Sequence, residues 1–531
     1  MNYLQLKELE KSVKLQHELL KKCKIIINEK SLEILRREIE ELKKKIENES
    51  CENRSMKKPH SYQSKIAQQL LDERGLIVFH TVGSGKTLTS ILCSQCYLDK
   101  FPNNKVIVIT PSGLKDNFLK EMKTAYGNII KEDKYEFYSY EKFTRENKKM
   151  EKIKCQDSLL IIDEAHNLRT SFDGKKGIRN GIITECAEKA HRVLLLSGTP
   201  IYNNYKDIVS LYNMIRPIGE KKWTEKTFKL ELLKCKISYY SPDTLTNPNF
   251  PKKRIHDIYI DMSPSYLIKY DKMIDYIQGN ASKTIDSYDP LKLQAFYNKI
   301  RRAANELDSV DGSKIRYIYN EIIKNDKKKI IVYSNFLASG NKILEELLKA
   351  NNIPYGYIEG DKSLKERTKI VGLYNENKIR VLLLSKAGGE GLDLKETNSV
   401  YILEPSWNQS NEDQVIGRAV RFKSHKDSNA IVDIYHVYHI KPTDRKCFRQ
   451  ITDYIRDKTK TKIDNPLDPY DNSIDLFMKV LLEKKQENLN DFIEQIKNLT
   501  IEKNNCKPKK GIDVMIKDII NIFKKTNNKK D

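Results

Sequence analysis

Glycine is scarce in this chain. The 531 residues hold 21, about 4% against an ordinary 7% or so, so a cluster of glycines marks backbone that must turn sharply or approach a ligand. Long apolar runs are missing too. The longest, Val106–Ile109 and Leu159–Ile162 among them, are four residues, where about 20 are needed to cross a bilayer. No membrane-spanning helix is expected. The start, Met1-Asn-Tyr-Leu-Gln-Leu-Lys-Glu8, has no apolar secretory stretch, so a reducing compartment is expected. The nine cysteines, odd in number and scattered, fit free thiols better than a disulfide framework. Cys93 and Cys96 have zinc-knuckle spacing, but no second ligand pair stands nearby. They read as two small apolar residues on one helix.

Positive charge is in excess: 96 Lys and Arg against 73 Asp and Glu, a net +23. Such a surplus suits a polyanionic partner, nucleic acid above all. A chain this rich in Lys, Asn, Ile and Tyr also reaches it by composition alone. With 39% hydrophobic and 32% charged residues the chain is polar but globular rather than disordered, and its length predicts two to four domains.

Leu6, Leu9, Val13, Leu20, Cys23 and Ile27, then Leu32, Leu35, Ile39, Leu42 and Ile46, follow helical spacing on either side of a register break. Residues 1–54 are therefore expected to be a helical hairpin. Its charges nearly cancel, which favours packing or partner docking over a polyanion arm. Beyond it, Leu76–Phe79, Val106–Thr110, Leu159–Asp163 and Val193–Ser197 read as buried strands alternating with helices. A second series runs Ile330–Ser334, Tyr355–Glu359, Val381–Ser385, Val400–Leu403 and Ile431–Val437. Continuous Val/Ile/Leu runs between helices indicate parallel sheets covered on both faces. The fold class is α/β, with two such domains at 55–240 and 313–445. Residues 241–312 are expected to be a proline-bearing linker and a helical insertion, and 446–531 a helical, basic extension. The tail from Lys503 carries nine Lys against three Asp; it suits a phosphate backbone as well as it suits a solvated helix end.

Seven of the glycines fall in four short segments. Leu76-Ile-Val-Phe-His-Thr-Val-Gly-Ser-Gly-Lys-Thr87 is a strand, a glycine loop and a helix start. The loop, His80, Thr81, Val82, Gly83, Ser84 and Gly85, would cradle phosphates with its N–H groups. Lys86 would reach the β- and γ-phosphates, and the Thr87 hydroxyl would ligate Mg2+. His80 stands where the usual pattern has its first glycine. Leu159-Leu-Ile-Ile-Asp-Glu-Ala-His166 sets two carboxylates at a strand end: Asp163 for the magnesium shell, Glu164 to orient and deprotonate water. Leu194-Leu-Leu-Ser-Gly-Thr-Pro200 ends a third strand in small hydroxyl residues suited to sensing the site. In the second domain, the loop Ser385-Lys-Ala-Gly-Gly-Glu-Gly-Leu-Asp393 follows a strand. Gln414-Val-Ile-Gly-Arg-Ala-Val-Arg421 puts two arginines on one helix face, where they could stabilise a transferring phosphoryl group or simply face solvent.

In order and spacing these segments resemble the motif series of superfamily 2 helicases and translocases, over roughly residues 60–425. Ser197-Gly-Thr-Pro-Ile-Tyr-Asn-Asn204, Leu211-Tyr-Asn-Met-Ile-Arg-Pro217, Lys386-Ala-Gly-Gly-Glu-Gly-Leu-Asp-Leu394 and Glu404-Pro-Ser-Trp-Asn408 look like the SWI/SNF-type branch. His80, together with Gly417-Arg-Ala-Val-Arg-Phe-Lys-Ser-His425, is closer to a viral subset, the poxvirus nucleoside triphosphatase I and early transcription factor ATPase. The resemblance implies two tandem RecA-like domains with ATP and Mg2+ between them. It makes Gln63 the adenine reader, Asp393 a ribose neighbour, Gln414 a γ-phosphate neighbour, and Arg418 and Arg421 the fingers. Thr110, Pro111, Ser112, Ser139, Tyr140, Ser334 and Asn335 match segments that grip the nucleic-acid backbone. The implied activity is ATP hydrolysis coupled to movement on DNA in viral transcription, with RNA polymerase or transcription factors as candidate partners. The implied setting is the virion and the virus factory in host cytoplasm. Two other readings stand beside it: an RNA or DNA unwinding helicase, and a non-catalytic DNA-binding transcription or virion component.

Overall fold

The computed structural model describes residues 50–81, 83–111, 114–127, 132–150, 153–168, 177–198, 206–241, 250–284, 290–307, 313–385, 392–407, 409–421, 423–427, 429–445, 472–504 and 506. Nearly all of the expected N-terminal hairpin, and the basic tail beyond Cys506, lie outside the described residues.

Two six-stranded parallel sheets form the frame, as the runs of branched apolar residues require. The first holds β1 (Gly75–His80), β2 (Lys105–Ile109), β3 (Tyr135–Tyr138), β4 (Ser158–Ile162), β5 (Arg192–Ser197) and β6 (Ile237–Tyr240), in the order β3-β2-β4-β5-β1-β6. The second holds β7 (Lys252–Asp261), β8 (Ile330–Ser334), β9 (Tyr355–Ile358), β10 (Val381–Ser385), β11 (Ser399–Ile402) and β12 (Ile431–Ile440), in the order β7-β12-β11-β8-β10-β9. Side chains of a strand alternate between faces, so each sheet divides its apolar residues between two helix layers. Ile77, Phe79, Ile107, Ile109, Leu160 and Ile162 pack on one side of the first sheet, and Leu76, Val78, Val106, Val108, Leu159 and Ile161 on the other. In the second sheet Ile331, Leu382, Val400 and Val432 oppose Ile330, Val381, Tyr401 and Val437 in the same way.

Every expected strand is present, and three unexpected ones sit at or near sheet edges. β3 and β6 are only four residues long. β7 carries Lys252, Lys253, Arg254 and Asp257 and is mostly exposed, yet it pairs with β12 over ten residues. It lies in the segment expected to be linker and helix; an edge strand carries charge and lacks the apolar signature of a central one. The rest of that segment does form helices, Pro264–Thr284 and Pro290–Asn305.

The cysteine expectation is corrected. Cys51–Cys96, Cys155–Cys186 and Cys235–Cys506 are joined as disulfides, with Cα–Cα separations of 5.1, 5.4 and 5.6 Å, and Cys93 is a buried free thiol. The partners are 45, 31 and 271 residues apart, so only the tertiary fold pairs them. Cys93 and Cys96 do share one helix and one apolar core, as expected, but Cys96 is bonded to Cys51.

The helix Ile474–Lys497 joins the two domains. Its first half, Ile474 and Met478, packs with Tyr266, Tyr270 and Ile300 beside the second sheet. Its last turns put Phe492 and Ile496 into the core of the first domain. At about 1.5 Å per residue, 24 residues reach roughly 36 Å, enough to span both. A buried ion pair fastens its start: Lys314 Nζ donates to Asp475 Oδ2 at 2.7 Å, both side chains fully buried. The same oxygen accepts the His439 backbone N–H at 2.9 Å.

Two consequences are measurable. Lys314→Ala leaves Asp475 charged and unpaired in the core and is expected to cost roughly 3–5 kcal/mol, read by chemical denaturation. His439 donates from Nδ1 to the Ala304 carbonyl at 3.0 Å, and its buried Nε2 has no partner. Burial, then the Lys314 charge, lowers its pKa from 6.5 to about 4. Below pH 6.5 the unfolded chain takes up a proton that the folded one refuses. Stability from this group is therefore complete above pH 6.5 and falls by about 3 kcal/mol towards pH 4. His439→Asn, which keeps a donor near the Nδ1 position, should flatten that slope.

Candidate functional site: a cleft at the strand ends

Parallel pairing sets all the strand C-termini of the first sheet on one edge. β2, β4, β5 and β1 are consecutive neighbours, so Thr110, Asp163, Ser197 and His80 converge there although they span 118 residues of sequence. The loop after β1 turns through Gly83 and Gly85, with φ of +83° and +80°, values that glycine adopts freely. A Cβ at Gly85 would also lie 3.0 Å from Gln63 Nε2, so that the amide holding the loop would have to give way. It precedes the helix Lys86–Lys100, whose first N–H groups have no partners within the helix and favour an anion.

The loop is held from beneath. Gln63, fully buried, donates from Nε2 to the Gly85 carbonyl and to Thr89 Oγ1, each at 3.2 Å, and its Oε1 accepts the His60 N–H at 2.8 Å. Both ends of this amide are thus engaged by the protein. The Tyr62 hydroxyl donates to the Ser84 carbonyl at 2.6 Å while its ring stacks on Tyr240 at 3.9 Å. Ser84 caps the turn through Thr81, its Oγ 2.6 Å from the Thr81 carbonyl. Lys86 Nζ donates to the His80 carbonyl at 3.0 Å. The His80 ring is fully buried, with Nε2 2.8 Å from Ser238 Oγ. Burial, and then Lys86, lowers its pKa to about 3, so the ring is neutral. Val82 lies outside the described residues.

Across the edge, the Asp163 carboxylate accepts the Thr110 hydroxyl at 3.3 Å and the Glu164 N–H at 3.0 Å. Glu164 has φ +53°, uncommon for a residue with a side chain and typical of a constrained site. Its Oε2 is buried without a well-aligned donor, although His166 Nδ1 lies 3.3 Å away. His166 Nδ1 is 3.1 Å from Ser197 Oγ, which ties the carboxylate strand end to the Ser197 segment. Burial and the Glu164 charge raise the Asp163 carboxyl above its ordinary range, while Glu164 is held below its own because Lys86 and His166 outweigh its burial. Two half-buried carboxylates facing one lysine make a site short of positive charge.

The second domain reaches this site. The Arg421 side chain lies against the loop, its Cγ 3.7 Å from where a Gly83 Cβ would stand, with Phe250 beside it at 3.8 Å. Its Nη1 donates to the Leu392 carbonyl at 3.4 Å and lies 3.9 Å from Asp393. Gln414 and Arg418 are half-buried on the preceding helix, Gln409–Ala419.

The residues matched to a nucleic-acid grip divide into two groups. Thr110 and Tyr140 are buried; Thr110 serves Asp163, and the Tyr140 hydroxyl donates to the Asp163 carbonyl at 2.6 Å. Ser334 is buried with Oγ 3.1 Å from Glu404 Oε2. These three support the strand ends from inside. Pro111, Ser139 and Asn335 keep some exposure. Ser139 Oγ accepts the Lys142 N–H at 3.1 Å, and the Asn335 backbone N–H donates to Glu404. Ser112 lies outside the described residues. Glu404, a buried acceptor for Ser334, Asn305 and Asn335, is a hub that sequence reasoning missed. Its place within Glu404-Pro-Ser-Trp-Asn408 was the available signal. Tyr240 and Ser238 left no signal, because β6 itself was not expected.

Two family models match the chain: type III restriction enzyme, res subunit, over residues 56–202, and helicase conserved C-terminal domain over residues 313–423. The chain is 32% identical over 416 residues to "Putative ATP-dependent RNA helicase L538" of Acanthamoeba polyphaga mimivirus, covering 72% of this chain and 89% of that one. It is 26% identical over 485 residues to "Putative ATP-dependent RNA helicase R563" of the same virus, covering 72% and 82%. Among solved structures, the Pyrococcus furiosus Hef helicase domain matches with 16% identity and a TM-score of 0.44, covering 74% of this chain and 98% of that one. No helix among the described residues is long and apolar enough to cross a membrane. The two tandem RecA-like domains, the glycine loop and carboxylate pair of the first, and the identity to viral helicases together show that the chain belongs to the superfamily 2 helicases, ATP-hydrolysing enzymes that act on nucleic acid.

Proposed function

We propose that the chain is a DNA-dependent translocase in which the second domain completes the ATP site on closure. The observation that carries this is the Arg421 side chain packed against Gly83 of the phosphate loop: the arginine and the loop belong to different sheets, so the site is complete only when both domains are present. Lys86, released from the His80 carbonyl, would take the β- and γ-phosphates. Arg418 and Arg421, with Gln414 beside them, would meet the charge that develops on the γ-phosphate. Glu164, ionised and without a well-aligned donor at Oε2, would orient the attacking water and take its proton as the bond to phosphorus forms. Asp393, 3.9 Å from Arg421, would meet the ribose, and Gln63 fixes the loop against which adenine would lie.

Mg2+ fits the donors at hand, the Thr87 hydroxyl and the Asp163 carboxylate, both hard oxygens in a cleft with excess negative charge. It would neutralise the phosphates on which Lys86 and the arginines act. Each closure would shift a grip on a phosphate backbone at Pro111, Ser139 and Asn335. That accounts for a net charge of +23 without base-reading motifs. The SWI/SNF-like segments favour tracking on DNA. The flavour of the viral subset favours a role in transcription, in the virion and the host cytoplasm, with RNA polymerase or transcription factors as partners. The second reading is an RNA helicase, favoured by the names of the two mimivirus relatives.

Steady-state ATPase should be measured with no nucleic acid, double-stranded DNA, single-stranded DNA and RNA. The expected result is stimulation mainly by DNA that weakens with salt; stimulation mainly by RNA overturns the DNA reading in favour of the RNA helicase. Lys86→Ala should lower turnover on the order of 10²-fold or more, and Glu164→Gln should hold ATP without hydrolysing it. Arg421→Ala should lower kcat about 10³-fold while ATP still binds. Near-normal hydrolysis by Arg421→Ala would remove the second domain from the chemistry.

A further inference from the structure

After the Ile474–Lys497 helix leaves the second domain, the chain does not simply end on the first. It runs along β6. The Cys235 N–H donates to the Leu499 carbonyl at 3.0 Å and the Ile501 N–H to the Ile237 carbonyl at 2.9 Å. Ile501 is buried among Leu76, Val78 and Ile91 of the first domain, and Cys506 is bonded to Cys235. Between these anchors Glu502 turns its carboxylate inward: the Ser238 hydroxyl donates to it, and the Tyr239 N–H donates to Oε2 at 3.4 Å.

Ser238 is fully buried and has one hydroxyl proton. With that proton given to Glu502, its oxygen must accept from His80, which places the His80 proton on Nε2. The other ring nitrogen, Nδ1, is buried without a partner, a tolerable state for a bare lone pair and a poorer one for an N–H. Glu502, through Ser238, therefore holds His80 in the Nε2–H tautomer that the partnerless Nδ1 also favours. His80 opens the phosphate loop, its carbonyl takes Lys86 Nζ, and its ring is packed edge-on against Tyr62, which in turn holds Ser84.

We propose that Glu502 is a positioning residue for the phosphate loop, acting through Ser238 and His80, so that the helix crossing from the second domain helps set nucleotide affinity in the first. The crossing helix is gripped at its start by Lys314 and along its length by Asp257 and the Trp407 carbonyl, through Lys479 and Lys485 at 2.7 and 2.8 Å. A shift of the second domain therefore pulls on the segment that carries Glu502. The proposal rests on the reading of the loop as an ATP site.

The test uses the full chain with Glu502→Ala, Glu502→Gln, Ser238→Ala and the Ala/Ala double variant, assayed for KM and kcat with Mg-ATP and for binding of a fluorescent ADP. Glu502→Ala and Ser238→Ala should each raise KM and Kd about fivefold or more, with kcat within about twofold. The double variant should be no worse than either single one, and Glu502→Gln, whose amide oxygen still accepts from Ser238, should stay near wild type. Unchanged KM and Kd in a folded Glu502→Ala protein overturn the proposal, as do effects that multiply in the double variant. If Glu502→Ala lowers the melting temperature, Ser238→Ala decides alone, since it removes the relay without touching the packing of the segment. Should the wild type bind the ADP probe but hydrolyse no ATP, the functional reading fails while the binding comparison still judges the relay. A wild type that binds no nucleotide sinks both.

Discussion

Parallel strand pairing is the constraint on which the site depends. Because β1, β2, β4 and β5 all run the same way, their C-termini meet at one edge, and the register places Phe79 opposite Ser197 and Ile109 opposite Ile162. A loop, a threonine, an adjacent pair of carboxylates and a serine, from four distant segments, thereby become neighbours. The buried apolar side chains that hold the strands in this register, such as Ile77, Leu160 and Leu195, are remote from the chemistry and yet decide its geometry, since a slip of one residue would turn every side chain to the opposite face.

Around that edge lies a shell of polar groups that hydrogen-bond to one another. Tyr140, Thr110 and Ser197 serve the carboxylate strand end; Gln63 and Tyr62 serve the glycine loop. In the second domain Glu404 plays the same part for Ser334 and Asn335. Unpaired polar groups are costly in a core, so such networks hold their members in one arrangement. Thr110, Tyr140 and Ser334 are buried members of these networks and support the strand ends from inside.

The two domains are linked by more than the chain between them. The Ile474–Lys497 helix shares its apolar residues between both cores, and the segment after it adds backbone hydrogen bonds, a disulfide and Glu502 to the first sheet. A strut fixed at both ends restricts the paths along which the two domains can move. It also gives the glycine loop a connection to the second domain, through Glu502, Ser238 and His80, separate from Arg421, which packs on Gly83.

The sequence by itself determined the α/β class, both strand series, the glycine loop with Lys86 and Thr87, and the pair Asp163 and Glu164. These signals are local: a run of four branched apolar residues or a glycine before a lysine needs no partner to be read. Only the tertiary structure decided the rest. The edge strands β3, β6 and β7 are stabilised by their neighbours more than by their own composition. The pairing of Cys235 with Cys506 spans 271 residues, and Glu502 meets Ser238 across 264. The burial of Ser334 and Tyr140, and the seat of Arg421 on Gly83, depend likewise on which elements pack together. Contacts between distant segments are set by how sheets and helices stack, and no spacing along the chain encodes them.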